Sequence, residues 1–488
     1  MRSLVVVENP RKWPFELEGV EVVSARSYLT EPAYSELRRA TVFNVCRDYG
    51  YQNTGYYVSL LATARGHRPL PSVNTIQSLG LSPVIRIASD ELDEMIQRSL
   101  APLRSGEFEL SIYFGRNVAK RYDRLSRALF NQFPAPFLRA RFVWEDDRWR
   151  LQSLRPIATS QIPDSHREFV LERAREYFAR PTHVRTRKHE YYYDLAILWN
   201  ADDPTSPSNE RAIRKFTHAA QSSGIRAEVV SRDDYGRIGE YDALFIRETT
   251  AVSHHTYRFA SRAEALGMVV IDDPESIIRC TNKVYQAELF QRHGVPAPQT
   301  VLVHEGNVEE VASAVGFPCV LKRPDGSFSQ GVVRVESEAE LRAALPALLE
   351  ESEIVVVQGW VPSSFDWRIG VLGGQALFAC KYHMASGHWQ IVRNEQGERD
   401  YGKVEAFPLH AVPRGILALG VRAASLIGNG LYGVDIKMID GRPLVMEVND
   451  NPNLDAGYED GALKDELYDS VMRYFRQRLD ARTAGGLL

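Results

Sequence analysis

The sequence lacks the features that mark secreted, metal-knuckle or membrane proteins. Its 488 residues include four cysteines, Cys46, Cys280, Cys319 and Cys380, whose scattered spacing predicts neither a disulfide framework nor a zinc knuckle. No apolar run approaches the roughly 20 residues that a membrane-spanning helix requires. The apolar run at residues 4–7 is too short for a signal peptide. These absences predict a reducing, cytoplasmic setting and no membrane partner.

A strong charge of one sign is also absent. The formal net charge is −4 and the pI is near 6.3, which argues against a general nucleic-acid or membrane-surface binder. Apolar residues make up 44% and charged residues 25%, as in ordinary globular proteins. A chain of this length exceeds one hydrophobic core and predicts about three domains.

Residues 1–186 predict a small α/β domain without a recognisable catalytic constellation. Its polar residues Asn44, Arg47, Tyr51 and His67 lie beside apolar ones, and structural hydrogen bonding is favoured over chemistry for each. The basic, Pro-containing segment at 180–187 is typical of a linker, although it could also contact an acidic surface.

From residue 187 to 280, short apolar strands alternate with helical segments. This alternation predicts a parallel sheet with right-handed crossovers, in which ligands bind outside the carboxyl ends of the strands. Arg247 directly follows the strand at 243–246 and is a candidate to hold a substrate carboxylate or phosphate. A surface arginine that caps a carbonyl is an equally good interpretation.

Two short strands near the C-terminus predict a hairpin whose turn, 438–443, contains Asp-Gly. Glu447 and Asn449 are two residues apart and share a face, and Asp435 lies on the preceding strand. Two carboxylates and an amide oxygen suit Mg²⁺ or Mn²⁺. An ordinary solvated hairpin face is the alternative.

Two lysines upstream are placed to meet phosphate. Lys283 lies at a helix start, where a cation opposes the helix dipole unless an anion offsets it. Lys322 ends a short strand and is followed by a Gly/Ser flap, 326–331, whose amides and hydroxyls, including Ser327 and Gly331, could wrap phosphate oxygens. The flap is not a Walker A loop, since no GKS or GKT follows its glycines. The alternative is a hairpin that has no role in binding.

The next segment supplies candidate contacts for the rest of a nucleotide. A β-branched strand at 354–357 leads into Gln358, Gly359 and Trp360, whose backbone could meet an adenine edge. Asp366 and Arg368 then share a strand face, where the acid could accept from ribose and the arginine could meet phosphate. Further on, Arg393 and Asn394 could bind phosphate or substrate.

The order of these parts resembles the ATP-grasp superfamily, and within it the RimK-like carboxylate–amine ligases that carry an extra N-terminal domain. The resemblance covers residues 191–478, and its most specific elements are GVDIK at 433–437 and MEVNDNPN at 446–453. It implies an N-terminal α/β domain (1–186), a parallel-sheet pre-ATP-grasp domain (187–280) and an ATP-grasp domain (281–478) of two α+β subdomains that enclose ATP.

The resemblance also implies roles for individual residues and cofactors. ATP and Mg²⁺ or Mn²⁺ are the implied cofactors. The implied roles are ATP-phosphate binding for Lys283 and Lys322, adenine binding for Gln358, Gly359 and Trp360, the Asp-x-Arg pair for Asp366 and Arg368, and metal ligation for Asp435, Glu447 and Asn449. From the chemistry of the residues, Ser327 and Gly331 are further ATP-binding candidates, Arg368 and Arg393 are the catalytic candidates, and Arg247 and Asn394 are the substrate-binding candidates.

By this resemblance the protein is expected to be a cytoplasmic ligase that forms an amide through an acyl phosphate, acting on small acid and amine substrates. His388-Trp389 before Arg393 and Asn453 after Asn451-Pro452 depart from the pattern of glutamate-adding relatives and leave the amine substrate open. A ligase that adds amino acids to a polypeptide terminus and a non-catalytic nucleotide-binding regulator are the alternatives. Homo-oligomers are common among such ligases.

Overall fold

The computed structural model describes residues 2–37, 40–179, 191–325, 332–384, 392–395 and 398–483. The predicted linker at 180–187 and the predicted flap at 326–331 lie outside these ranges. The chain divides into two compact units, 1–188 with 233–240 and 189–232 with 241–488, which are described separately. Within the described ranges, no helix has the length and apolar character needed to cross a membrane. The three-domain division stays a prediction.

The first unit combines two sheets with helices. Its strands are β1 (Arg2–Val7), β2 (Val20–Ser24), β3 (Ala40–Asn44), β4 (Arg68–Leu70), β5 (Glu107–Tyr113), β6 (Phe137–Glu145) and β7 (Arg148–Pro156). Its helices are α1 (Ala25–Thr30), α2 (Pro32–Ser35), α3 (Thr54–Ala64), α4 (Val73–Leu79), α5 (Ser82–Glu91), α6 (Asp93–Leu100), α7 (Asp123–Gln132) and α8 (Arg167–Ala179). Strands β2-β1-β3-β4 form a parallel sheet and β5-β6-β7 an antiparallel one.

Internal hydrogen bonds occupy the polar side chains of the first sheet, as predicted for Asn44 and His67. The Asn44 amide donates to Gly55 O at 2.6 Å and to Ser59 Oγ at 2.9 Å. His67 lies 2.8 Å from the Tyr28 hydroxyl through Nδ1 and 2.9 Å from Leu37 O through Nε2. These side chains therefore stabilise the core of the unit.

The second unit begins with a parallel sheet in the order β11-β10-β8-β9, which confirms the predicted strand–helix alternation. Its elements are β8 (Tyr193–Leu198), α9 (Glu210–Ser222), β9 (Ile225–Val230), β10 (Ala243–Ile246), α10 (His255–Ala265), β11 (Val269–Ile271) and α11 (Pro274–Thr281). All six residues of β8 are buried, because strands in a parallel sheet are covered on both faces.

Antiparallel sheets make up most of the remainder of this unit. Its elements are α12 (Lys283–Arg292), β12 (Thr300–Val303), α13 (Glu310–Ala314), β13 (Cys319–Lys322), β14 (Val332–Val335), α14 (Glu338–Leu349), β15 (Val355–Gly359), β16 (Phe365–Leu372), β17 (Gln375–His383), β18 (Val392–Glu395), β19 (Glu398–Tyr401), β20 (Val404–Phe407), α15 (Arg414–Ile427), β21 (Leu431–Ile439), β22 (Arg442–Asp450) and α16 (Asp465–Thr483). The sheets are β12-β15-β13-β14, β20-β17-β16-β21-β22 and the pair β18-β19.

The five-stranded sheet separates an apolar face from a polar one. Val434, Ile436 and Val448 are fully buried in a core that also contains Ile416 and Ala423 of helix α15. Because side chains alternate along a strand, the residues between them in β21 and β22 project to the opposite face. Parallel sheets followed by α+β layers confirm the predicted α/β class, and the polar face of this sheet carries the candidate site.

Candidate active site

The hairpin of β21 and β22 forms as predicted, with a tighter turn. The strands extend to Ile439 and from Arg442, so that Asp440 and Gly441 alone make the turn. Their φ angles are +49° and +76°, the left-handed values that a two-residue hairpin turn of this type requires. Pairing continues further into the turn than the sequence predicted, because a two-residue Asp-Gly turn matches the twist of the strands.

The register of the hairpin brings the three predicted metal ligands together. Asp435 pairs directly with Glu447, and Gly433 pairs with Asn449. The Asn449 amide lies 3.1 Å from Asp435 Oδ2 and 3.4 Å from Glu447 Oε1. The two carboxylates and the amide therefore converge on one face of the sheet.

Arg368 joins this cluster from the neighbouring strand β16, where it pairs with Asp435. Its guanidinium donates to both Asp435 oxygens, from Nε to Oδ1 and from Nη2 to Oδ2 at 2.8 Å. The space for its side chain depends on Gly433, since a Cβ there would lie 2.9 Å from Arg368 Cδ and 2.8 Å from Pro452 Cβ. The glycine of the GVDIK segment thus leaves room for the arginine.

The two predicted phosphate lysines lie next to each other. The backbone N–H of Lys283, the first residue of α12, donates to Pro324 O at 2.8 Å, which joins the helix start to the chain just after Lys322. The Lys322 ammonium donates to Gln358 Oε1 at 2.8 Å. Burial and nearby Lys283 together lower the pKa of Lys322 to about 8, although Glu447 opposes the shift. Concentrated positive charge of this kind favours an anionic ligand.

The same neighbouring side chains shift the pKa values of the two hairpin acids, Asp435 and Glu447. Burial acts to raise the pKa of Glu447, but Lys283, Lys322 and Arg368 together hold it below its ordinary value. Burial raises the pKa of Asp435 to about 6, although Arg368 opposes the shift. Glu447 is therefore a carboxylate at neutral pH and faces a cluster of cations.

Sequence reasoning missed two residues that complete this face. Lys437 forms an ion pair with Asp366 Oδ1 at 3.1 Å. The guanidinium of Arg368 lies 4.9 Å from the ring centroid of Tyr382, whose hydroxyl donates to Glu459. Period-two spacing from Asp435 could have indicated Lys437. No sequence signal pairs Tyr382 with Arg368, because that contact depends on sheet register.

The strand end predicted to meet adenine is partly occupied by internal contacts. The Gly359 N–H donates to Gln299 O at 2.9 Å and the Trp360 N–H to Pro318 O at 3.2 Å. The Gln358 side chain holds Lys322 rather than pointing to open space. The adenine role of this segment stays a prediction, and the amide N–H groups of Gly359 and Trp360 are already in use.

Arg247 is not brought into the cluster. Its guanidinium is fully buried and donates to Ser208 Oγ (2.9 Å), Asn451 Oδ1 (2.7 Å), Pro207 O (2.6 Å) and Pro452 O (2.8 Å). Four of its five N–H donors therefore have internal partners. Its position anchors the chain that follows β22, and its predicted contact with substrate remains untested.

Several predicted residues lie outside the part of the chain that the structure describes. Ser327 and Gly331 of the flap belong to this group, as do His388 and Trp389. Arg393 and Asn394 lie in β18, but their side chains are outside the described set. Their roles stay predictions.

The donor set on the hairpin fits a hard divalent cation. Among the described residues, no group of three or more His, Cys, Asp and Glu side chains is arranged to hold a metal. The hairpin trio instead offers two carboxylates and one amide, and a Mg²⁺ ion commonly takes one or two carboxylates and completes its shell with phosphate and water. Asp435, Glu447 and Asn449 therefore have the composition expected when a nucleotide supplies the remaining ligands.

Comparison with known protein families gives two matches. Residues 25–173 match the RimK-like ATP-grasp N-terminal domain, and residues 280–462 match the RimK-like ATP-grasp domain. The second match contains β16, β21 and β22 and the cluster they carry. Together the two matches span more than half of the chain.

Similar proteins have been named as ligases. The chain is 27% identical over 230 residues to "Probable alpha-L-glutamate ligase" of Vibrio vulnificus (strain YJ016), covering 46% of this chain and 73% of that protein. It is 28% identical over 229 residues to the protein of the same name from Alcanivorax borkumensis, again covering 46% and 73%.

Among solved structures, D-alanine–D-alanine ligase from Bacillus anthracis is 16% identical, with a TM-score of 0.48 over 60% of this chain and 100% of that one. A RimK domain ATP-grasp protein from Sphaerobacter thermophilus is 17% identical, with a TM-score of 0.43 over 57% and 98%.

Proposed function

Because the chain belongs to the RimK-like ATP-grasp family, whose relatives mark it as an ATP-dependent carbon–nitrogen ligase, we propose that it joins a substrate carboxylate to the amine of an amino acid or small peptide. One observation supports this proposal most strongly. Lys283, Lys322 and Arg368 lie close enough to Glu447 to hold its pKa below its ordinary value although the carboxyl is buried. The described part of this site concentrates charge, and phosphoryl transfer by positioning needs no protein nucleophile.

The reaction proceeds in two steps. An oxygen of the substrate carboxylate attacks the γ-phosphorus of ATP, the bond to the β-phosphate oxygen breaks, and an acyl phosphate and ADP form. A neutral amine then attacks the acyl carbon, and inorganic phosphate leaves as the amide forms. Each mole of amide consumes one mole of ATP and yields one mole each of ADP and phosphate.

We assign a separate role in the reaction to each residue of the cluster. Lys283 and Lys322 bind the phosphates, and Arg368 stabilises negative charge that develops on the transferred group. A divalent ion held by Asp435, Glu447 and Asn449 would supply further charge neutralisation for the triphosphate. Tyr382 lies against the Arg368 guanidinium and positions it.

Hydroxylamine trapping tests the function even while the amine substrate is unidentified. The protein is incubated with ATP, Mg²⁺, hydroxylamine and a panel of carboxylic acids that includes amino acids and short peptides. We expect one class of acid to give a hydroxamate together with an equal amount of ADP. The productive acid is then paired with candidate amines, L-glutamate first, because the similar proteins are named as glutamate ligases.

Two variants test whether turnover of ATP depends on the hairpin. Replacing Glu447 by Ala should lower ADP formation by about 100- to 1000-fold, because a preorganised charge of the reacting site is lost. Glu309→Ala removes an exposed carboxylate far along the chain and should leave turnover unchanged. ADP formation that is the same in both variants would refute the assignment of the site.

A protein-modifying ligase is the second candidate, and the separate N-terminal unit favours it. In this case the unit would dock a polypeptide whose terminal carboxylate is activated. Intact-mass analysis of proteins incubated with ATP and an amino acid distinguishes the two, since only this activity adds residue-sized mass increments to a protein.

A further inference from the structure

A second group of titratable side chains lies at the carboxyl edge of the parallel sheet in the second unit. Glu248 comes just after β10, and His255 is the first residue of α10. Glu248 Oε2 and His255 Nε2 are 2.6 Å apart. The rings of His254 and His255 are tilted by 50° to each other, with centroids 4.0 Å apart.

Exposure within this group rises from the carboxylate to the outer histidine. The side chain of Glu248 is 5% exposed and that of His255 18% exposed, while His254 is exposed. With Nε2–H donated to the carboxylate, the lone pair of His255 is on Nδ1. A buried acid therefore orients an imidazole whose second nitrogen can accept a proton, with His254 on the solvent side.

Charged groups of both signs lie near the two histidines. Burial and the adjacent His255 lower the pKa of His254, and Glu248 and Asp203 oppose that shift. Arg247 precedes Glu248 in the chain, but its donors are used by the loop after β22. A second acid, Asp203, thus lies near the two histidines, and Arg258 follows His255 by three residues on α10.

A direct contact joins this group to the hairpin of the active site. The Asn451 amide donates to the carbonyl oxygen of Glu248 at 2.6 Å and accepts from Arg247 Nη1 at 2.7 Å. Asn451 follows Asn449 by two residues. The peptide of Glu248 is therefore bound to the end of the same chain segment that carries Glu447 and Asn449.

Amide formation requires the incoming amine to lose a proton. An α-amino group titrates at about pH 8 or above, so at neutral pH it arrives mainly as an ammonium ion without a lone pair. Asp435 and Glu447 of the cluster face cations, and Asp272 and Asp450 beside it are buried. A proton acceptor that is more exposed than these acids therefore has to come from outside the cluster.

We propose that Glu248, His254 and His255 form the subsite for the amine substrate, in which His255 accepts the proton of the incoming ammonium group. This inference rests on the proposed ligase function and adds a residue to it. The ammonium N–H bond breaks, its proton moves to His255 Nδ1 and then to water, and the nitrogen lone pair forms the bond to the acyl carbon. The second nitrogen proton leaves with the departing phosphate, which is released as hydrogen phosphate.

Hydroxylamine separates an effect on deprotonation of the amine from an effect on ATP binding or acyl-phosphate formation. It is largely uncharged at neutral pH and attacks an acyl phosphate without a base. The rates of hydroxamate and amide formation are measured side by side in the full-length protein, in His255→Ala and in Glu248→Gln. His218→Ala, which removes an exposed histidine from α9, is the matched control.

We expect His255→Ala to lower amide formation by about 100-fold or more, the usual contribution of a positioned base, and to leave hydroxamate formation unchanged. The residual amide rate should rise with pH until the amine itself is deprotonated. Glu248→Gln should give the same pattern with a smaller loss, and His218→Ala should alter neither rate.

Other results overturn the inference in distinguishable ways. Equal loss of both products in His255→Ala would assign the residue to folding or ATP binding, and retention of both would remove it from the reaction. A wild-type protein that makes no hydroxamate with any acid would refute the ligase function and this inference together.

Discussion

The described ranges of the chain include two four-stranded parallel sheets that differ at their carboxyl ends. In the first unit, the chain after β3 is held by the Asn44 amide, which binds the helix that follows. In the second unit, β10 is followed by the buried charges Arg247 and Glu248, and β11 by Asp272. Burial and nearby Asp450 raise the pKa of Asp272 well above its usual value.

This difference shows that a parallel sheet determines where a site can form, whereas the side chains at its strand ends determine whether the site can react. The buried polar side chains after β3 are neutral and pair among themselves, and the charges near the ends of β1 and β3, Glu8, Arg47 and Asp48, are exposed. The second sheet instead ends in buried charges, which need partners or a function. The same architecture therefore serves as scaffold in one unit and borders the candidate site in the other. The following predictions test this contrast.

The largest expected effect on stability is at Arg247. Replacement by Ala removes four hydrogen bonds and leaves the acids around it without their buried cation. The free energy of unfolding should fall by about 3–5 kcal/mol. Urea unfolding measures the loss, and Arg214→Ala, which breaks an exposed ion pair on α9, is the control with an expected loss below about 1 kcal/mol. Equal losses in the two variants would contradict the structural role of Arg247.

Replacing Asn44 by Ala tests the scaffold sheet. Gly55 O and Ser59 lose a buried partner, and unfolding should become easier by about 1–3 kcal/mol. Turnover per folded molecule should not change, because no charge of the active site is altered. The contrast between the sheets fails if ADP formation by the folded variant drops sharply.

Lys322 should make ATP binding depend on pH. Its pKa in the free protein is lowered to about 8, and bound phosphate favours the charged form, so binding raises this pKa. Affinity for ATP should therefore be constant below about pH 8 and fall by up to about tenfold per pH unit above it. Titration calorimetry in buffers of different ionisation enthalpy should detect proton uptake. Lys322→Arg stays charged, and its affinity should not decline in this way.

His67 should produce the smallest effect, on stability alone. Burial lowers its pKa below 6.5, so the unfolded chain binds the proton more readily than the folded one. The stabilisation is present above the unfolded pKa and is lost as the pH falls through the folded pKa. Unfolding in urea at about pH 7 and about pH 5 measures the change. His67→Gln does not titrate, and an undiminished pH effect in that variant would assign it to other groups.

Local patterns in the sequence were sufficient for the hairpin. Alternation of apolar and polar residues put Glu447 and Asn449 on one face, and Asp-Gly at 440–441 indicated the turn. Strand–helix alternation likewise predicted the parallel sheet of the second unit. These features depend on neighbours a few residues apart, and short-range geometry is what a sequence pattern encodes.

Such local patterns could not predict the contacts between distant segments. Arg247 lies 204 positions from Asn451, and the hydrogen bond between them occupies a guanidinium that its strand-end position alone suggested was available. Tyr382 reaches Glu459 across 77 positions. The irregular register between Asp435 and Ile436 is a further case, since a β-bulge changes which residues face each other.

By itself, the sequence determined which side chains share a strand face, where the hairpin turns and which chemical groups are available for a nucleotide. Strand periodicity and turn preference are properties of the local backbone. Only the tertiary structure decided that Arg368 binds Asp435, that Lys322 lies beside Lys283, and that Glu248 and His255 are joined to the hairpin through Asn451. Those contacts depend on how separate sheets pack and register, and burial together with the neighbouring charges shifts the pKa of each group.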